Sequence, residues 1–245
     1  MVGDNGDSGF LSANFPTYHA TIAYRDIFLM YYNVSAIIFL FLRYNKNNDR
    51  FFIFAGINAG FATFTKLEAV GYLFLQALAL LGLLSCTKRR GLRKKANQFL
   101  KFIVPGLGIY LIYAFYKQMH HIRLGQNRFS LEITARNFQR VGPITQRFFE
   151  ELFLSGNWNI LWFILIISLV VHRARVMRSI LAIYVGGVLF LYLGFYFIVA
   201  LATPNFVSIA GSHSYTVLSR IILHFFPLCV LGIIFANYLS EKEPL

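Results

Sequence analysis

Acidic side chains are scarce in this chain. Asp and Glu together number 10 against 23 Lys and Arg in 245 residues, and all four charged types make up only 13% of the sequence. A soluble globular domain averages about 25% charged residues, so the composition excludes an ordinary water-soluble fold. Cysteine is nearly absent as well. Cys86 and Cys229 both fall in or beside apolar runs, which excludes a disulfide scaffold or a cysteine metal site and leaves them as packing residues. The opening "MVGDNGDSGFLSANFPTYH" does not read as a secretory signal peptide, because it has neither a basic start nor an apolar centre.

What fills the chain is apolar. Hydrophobic residues make up 57% of it, Phe alone occurs 27 times, and the mean hydropathy is +0.58. The length accommodates about seven crossings of roughly 20 residues, and the apolar runs put them at 23–43, 51–65, 67–86, 99–116, 157–171, 180–202 and 221–239. The second and third share one apolar run over 51–86, about 54 Å as a single helix at 1.5 Å per residue. That is too long for a hydrocarbon core of about 30 Å. The run is therefore expected to fold back with Lys66 and Glu68 at the tip. The expected fold is all-α, a polytopic membrane helix bundle over 1–245 forming one domain.

Orientation follows from the basic loops. "TKRRGLRKK" carries six positive residues and no acid, so it is expected in the cytoplasm, and the basic loops "RYNKNNDR" and "HRARVMR" alternate onto the same side. This puts the N-terminal tail, the Lys66 tip and residues 117–156 and 203–220 outside, with the site facing the periplasm or exterior of an inner membrane. The 117–156 loop runs against the positive-inside tendency, carrying Lys117, Arg123, Arg128, Arg136, Arg140 and Arg147 against Glu132, Glu150 and Glu151. Leu131, Ala135 and Phe138, then Ile144, Phe148, Phe149, Leu152 and Phe153, recur at helical spacing with charges on other faces. Short amphipathic helices on the outer leaflet, or a cap over the bundle, both fit this spacing. A chain that starts outside with nothing to carry it there is expected to be the later part of a longer protein.

On this topology the charges gather at the outer face. Arg25 and Asp26 open the first span, Lys66 and Glu68 sit at the hairpin tip, and Arg220 opens the last span beneath the arginine-bearing loop. One acid among several cations at the bilayer edge suits an anionic headgroup, because Arg grips phosphate through its planar fork and Lys through its point charge. Each residue also has a plainer reading: Arg25 with Asp26 as a local pair, Lys66 snorkelling to the interface, and Arg220 touching lipid phosphates. The histidines at 19, 120, 121, 213 and 224 show no ligand-like spacing, so no metal is indicated by the sequence. The middles of the spans read as apolar apart from residues such as Asn58 and Gln76.

The order of these motifs resembles the GT-C glycosyltransferases, in their dolichyl-phosphate-mannose-protein mannosyltransferase-like and lipid A aminoarabinose-transferase-like branch. His19-Ala20 and Tyr24-Arg25-Asp26 open a span from the outer face, as a histidine-alanine and tyrosine-x-aspartate segment does there. A glycine-rich helix then ends in Thr65-Lys66-Leu67-Glu68, followed by "GNWN" and "SRIILHFFPL". The resemblance implies transfer of a sugar from a polyprenyl-phosphate carrier to a protein, lipid or glycan acceptor at the outer face, with inversion. Membrane lipids are expected partners and nucleic acid is not; any divalent metal requirement is left open. The leaving lipid phosphate would be met by Lys66 and Arg220, with Arg136, Arg140, Glu68, Tyr24 and His19 lining the site. The family's principal catalytic aspartate lies in a first outer loop that this sequence does not contain. Asp26 matches a second acidic position instead. The expectation is thus either the C-terminal part of a transferase or a non-catalytic membrane subunit, with a transporter or flippase of a lipid-linked anion as the further alternative.

Overall fold

The computed structural model describes residues 8–66, 68–86, 91–121, 135–154, 159–177, 179–202, 218, 221–222 and 224–237. Side chains are described from Arg25 onward, apart from those of 135, 136, 159, 175, 236 and 237. Among the described residues every regular element is helical: α1 (Ser8–Lys46), α2 (Arg50–Thr65), α3 (Glu68–Cys86), α4 (Leu92–Met119), α5 (Val141–Phe149), α6 (Asn159–Val171), α7 (Arg173–Val176), α8 (Ile180–Ala202) and α9 (Phe226–Asn237). A 3-10 turn (Ala135–Arg140) leads into α5 and a π-helical turn (Glu150–Leu154) leaves it. Four segments are long and apolar enough to cross a membrane: Arg25–Lys46, Glu68–Cys86, Leu92–Met119 and Ile180–Ala202. Ile160–Val171 and Phe226–Phe235 are apolar but shorter.

Many large apolar side chains lie on the outside of this bundle. Phe115 on α4, Ile167 on α6 and Phe190 on α8 are all more than half exposed, an arrangement that suits hydrocarbon rather than water. The long run at 51–86 breaks where expected, at Lys66, whose backbone is extended at φ −151° and ψ 149°. Thr63 and Thr65 turn their hydroxyls back onto the carbonyls of Gly60 and Ala62 at 2.6 Å each, which ends α2 by competing with its own ladder. α2 and α3 then pack on one another, and α3 packs in turn on α4 and α8. α1 is longer than the sequence reading gave it. No Gly or Pro interrupts residues 17–46, and the helix reaches back to Ser8.

Small residues let α2 approach its neighbours. A Cβ on Gly56 would run into the Phe102 carbonyl oxygen of α4, and one on Gly60 would meet Gly106 and Ile109 at 2.9 Å. "GINAG" is thus a small-xxx-small contact of the kind that holds membrane helices together by close backbone approach.

The buried stripe of α1 recurs at helical spacing through Asp26, Leu29, Asn33, Ala36, Ile37, Leu40 and Arg43. Its polar members mark three levels. Arg43 closes one end: its guanidinium bonds Asp49 Oδ1 through Nε at 3.0 Å and lies 5.3 Å from the ring centroids of both Tyr44 and Phe52. Gln98 donates to the same Asp49 oxygen at 3.1 Å, and Lys101 lies 3.7 Å from Oδ2, so one carboxylate ties the α1–α2 turn to α4. Asp26 lies 17 residues, or about 25 Å, away along the helix.

Residues 135–154 pack against α6 and α8. Ile144 and Phe148 of α5 are buried, and Phe148 meets Phe197 of α8 edge-on at 6.1 Å. Glu151 was expected to face away from the apolar positions. It is instead buried, with Oε1 taking a 3.0 Å bond from Arg147, while Phe149 is exposed. The π-helical turn widens the spiral just there, so positions after Phe149 leave the register that a regular helix predicts.

Candidate functional site

Asp26 is only 1% exposed and does not pair with its neighbour, for Arg25 points out of the bundle and is exposed. The local Arg25–Asp26 pair contemplated from sequence is therefore replaced by longer-range contacts. Lys66 at the α2–α3 turn pairs with Asp26 Oδ1, and His224, in the turn before α9, puts Nε2 2.8 Å from the same oxygen. A carboxylate this buried needs opposite charge and hydrogen bonds to remain ionised, and these two side chains provide them.

The cluster continues into the bundle. Tyr72 of α3 has its hydroxyl 3.3 Å from His224 Nδ1 and 2.5 Å from the hydroxyl of Tyr196 on α8. Tyr196 donates to Glu68 Oε2 at 3.0 Å. Tyr72 and Tyr196 are buried, as are Asp26 and His224, whereas Lys66 and Glu68 at the two extremes are partly exposed. Glu68 and Tyr72 sit one turn apart on α3, and helical geometry puts them on the same face. A second polar layer lies deeper. Gln76 donates to the Asn33 carbonyl at 3.2 Å and to the Tyr192 hydroxyl at 2.8 Å, while the Tyr192 ring stacks on Tyr72 with centroids 4.1 Å apart. Asn33 lies seven residues beyond Asp26, about 10 Å further down α1. Asn33 Nδ2 and Gln76 Oε1 are buried without a hydrogen-bond partner.

No family model, curated protein or solved structure matches this chain. Its site therefore has to be read from its own geometry.

Of the residues singled out from sequence, Asp26, Lys66 and Glu68 come together. Arg140 is half-buried at the end of the 3-10 turn. The backbone of His19 and Tyr24 lies in α1, but their side chains, that of Arg136, and Arg220 altogether are outside the described residues. Sequence reasoning missed His224, Tyr72 and Tyr196. It weighed His224 only as a metal ligand, although a histidine inside "IILHFFPL" is a polar group in an apolar run and calls for a buried partner. Tyr192 and Tyr196, one turn apart in "YLGFY", and Tyr72 with Gln76, equally spaced on α3, carried the remaining signal. Gln76, named from sequence as an exception to the apolar middles of the spans, is joined there by Asn33 and Tyr192 in one buried layer.

Proposed function

We propose that the chain is the membrane part of a transferase that takes a sugar from a polyprenyl-phosphate carrier at the outer face and hands it to a protein, lipid or glycan acceptor. The supporting observation is that Asp26 and Lys66, which the family resemblance selects from separate stretches of sequence, pair at one end of the bundle. Glu68 joins the same cluster through Tyr196. In this reading the Lys66 ammonium stabilises the charge that grows on the lipid phosphate as its bond to the sugar breaks. Asp26 holds Lys66 in place and faces the reacting groups. Arg220, Arg136 and Arg140 add positive charge for the phosphate, and Glu68, Tyr24 and His19 shape the remainder. The seven crossings and the outward orientation of the Asp26 end belong to this proposal, as does an inner-membrane location.

Binding to undecaprenyl phosphate tests it, since binding survives even where a catalytic segment lies elsewhere. The purified chain should bind the lipid in detergent, and Lys66→Met and Arg220→Ala should each weaken it. Arg220→Lys should fall between, because it keeps charge and loses the bidentate fork. Replacing Arg136 and Arg140 together with Gln should flatten the salt dependence. No binding, or equal binding by all variants, would reject the reading.

One observation favours transport instead. Transporters place polar groups near the membrane midplane, and the Asn33–Gln76–Tyr192 layer includes two buried polar atoms without partners. Movement of a fluorescent polyprenyl-phosphate analogue between leaflets of reconstituted vesicles, abolished by Gln76→Leu, would decide for that alternative.

A further inference from the structure

The Asp26 cluster is a chain of hydrogen-bonding contacts, and the number of protons it can hold is fixed by its chemistry. Four contacts run in series: Asp26 Oδ1 to His224 Nε2 at 2.8 Å, His224 Nδ1 to Tyr72 at 3.3 Å, Tyr72 to Tyr196 at 2.5 Å, and Tyr196 to Glu68 at 3.0 Å; the Tyr196 hydroxyl also lies 3.5 Å from His224 Nδ1, a longer approach than any in the series. Each contact needs one hydrogen. With both carboxylates ionised and the imidazole neutral, the chain owns three: one from each phenol and one on the ring. One contact then lacks its hydrogen, and a single added proton completes the series.

We propose that this chain binds one proton and shares it between His224 and Glu68. The completed series has two arrangements. In one, His224 carries both ring hydrogens, Nε2 donating to Asp26 and Nδ1 to Tyr72, while Tyr72 donates to Tyr196 and Tyr196 to ionised Glu68. In the other, both phenols have reversed: Glu68 is a neutral acid donating to Tyr196, Tyr196 donates to Tyr72, and Tyr72 donates to the bare Nδ1. Every contact is satisfied in both. The net charge with Lys66 included is zero in both, so the shift moves no net charge into a low-dielectric interior.

The surroundings fit a relay. Among the described residues, the charged and titratable groups facing it are Asp26 from α1, Lys66 from the α2–α3 turn, Glu68 and Tyr72 from α3, and Tyr196 and Tyr192 from α8. His224 itself precedes α9. The middle of the chain is buried while Glu68 is partly exposed, so the proton has a wet end to leave by. A hydroxyl that reacts beside Asp26 gives its proton to the carboxylate and keeps the electron pair. In the proton-poor chain, with the ring hydrogen on Nδ1, that proton is the one missing between Asp26 and Nε2. The inference holds whichever group reacts there, so it stands or falls apart from the transferase reading.

Magnetic resonance of the full chain in detergent micelles, with 15N-histidine and 13C-glutamate, tests it directly. His224 is assigned by difference with His224→Gln and Glu68 by difference with Glu68→Gln. As the pH is lowered, the His224 ring and the Glu68 carboxyl should change over one common range and take up one proton between them. Tyr196→Phe removes the central hydroxyl and no charge. It should separate the two changes, because Tyr72 then has only Nδ1 to donate to and holds the ring neutral. At the wild-type midpoint, where an equally shared proton leaves His224 doubly protonated in about one quarter of molecules, that fraction should fall to about one twentieth, as a one-unit coupling gives. Circular dichroism checks that the variant is folded. Should it not fold, the common range in the unaltered protein decides alone. Separate ranges in the unaltered protein, or an unchanged His224 in folded Tyr196→Phe, would overturn the proposal.

Discussion

His224 Nε2 and Asp26 Oδ1 meet at 2.8 Å across 198 residues of sequence, and both side chains are 1% exposed. The contact joins the first helix to the turn that precedes α9. It makes Asp26 a tie between distant segments as well as a candidate site residue, because Lys66 shares the same oxygen.

Removing the carboxylate should therefore cost stability as well as any activity. Asp26→Ala leaves Lys66 and His224 facing each other without their counter-charge. Breaking a buried pair from one side typically costs about 3–5 kcal/mol. Asp26→Asn keeps a hydrogen-bond acceptor and should cost less. Unfolding in a fixed detergent, followed by helical circular dichroism, should rank the three proteins wild type, Asn, Ala. Equal midpoints would show that the cluster does not hold the helices together.

Close approach of α2 and α4 makes a sharper, purely steric test. Gly56→Ala drives a methyl group toward the Phe102 carbonyl, a backbone atom that cannot swing aside, and overpacking of this kind costs about 1–3 kcal/mol. Gly82 and Gly108 have nothing within 4 Å of an added Cβ. Both lie inside helices, so Gly→Ala there should be neutral or stabilising by up to about 1 kcal/mol. A Gly56→Ala protein as stable as Gly108→Ala would mean that α2 and α4 are farther apart than this.

How far the sequence foretold this arrangement depended on the range of the interaction. Apolar runs report local burial, so the helical class and the break at Lys66 were readable from residues 51–86 alone. The pairing of Asp26 was not, since Arg25 beside it offered a nearer partner and only three-dimensional packing turns one inward and the other out. Lys66 and Glu68 were found by their place at the tip of an apolar run. His224, Tyr72 and Tyr196 were passed over because a single polar residue in an apolar helix does not name its partner. The cap after α4 was misread at Glu151, where a π-helical turn changes the register that helical spacing assumes.

The same cap responds to acid. Glu150 is held below the usual carboxylate range, first by the 2.9 Å hydrogen bond from Gln146 and then by Arg147 at 3.1 Å. Its folded-state value is thus lower than its unfolded one. The contribution is fully present above the ordinary glutamate value of about 4.3 and is lost as pH falls through the lower, folded value. Hydrogen exchange at the amides of α5 should quicken over that acid window in the unaltered protein, and less steeply in Gln146→Ala. Exchange independent of pH, once the intrinsic rate is corrected for, would remove these bonds from the list of what holds the cap.

Orientation is the prediction on which the proposed function depends most. α4 runs 28 residues from Leu92 to Met119, about 42 Å at 1.5 Å per residue, long enough for its two ends to emerge on opposite sides. The basic cluster at Arg93, Lys94 and Lys95 should hold the first end in the cytoplasm, leaving His120 and His121 outside. Arg93 and His121 are both exposed, so cysteines placed there are open to reagent without disturbing packing. In a background with Cys86 and Cys229 changed to Ala, an impermeant maleimide added to intact cells should label His121→Cys and spare Arg93→Cys. Both should label once the membrane is permeabilised, which rules out a buried thiol as the cause of silence. Labelling of Arg93→Cys alone in intact cells would turn the molecule over. The Asp26–Lys66 end would then face the cytoplasm, where the transferase reading does not place it.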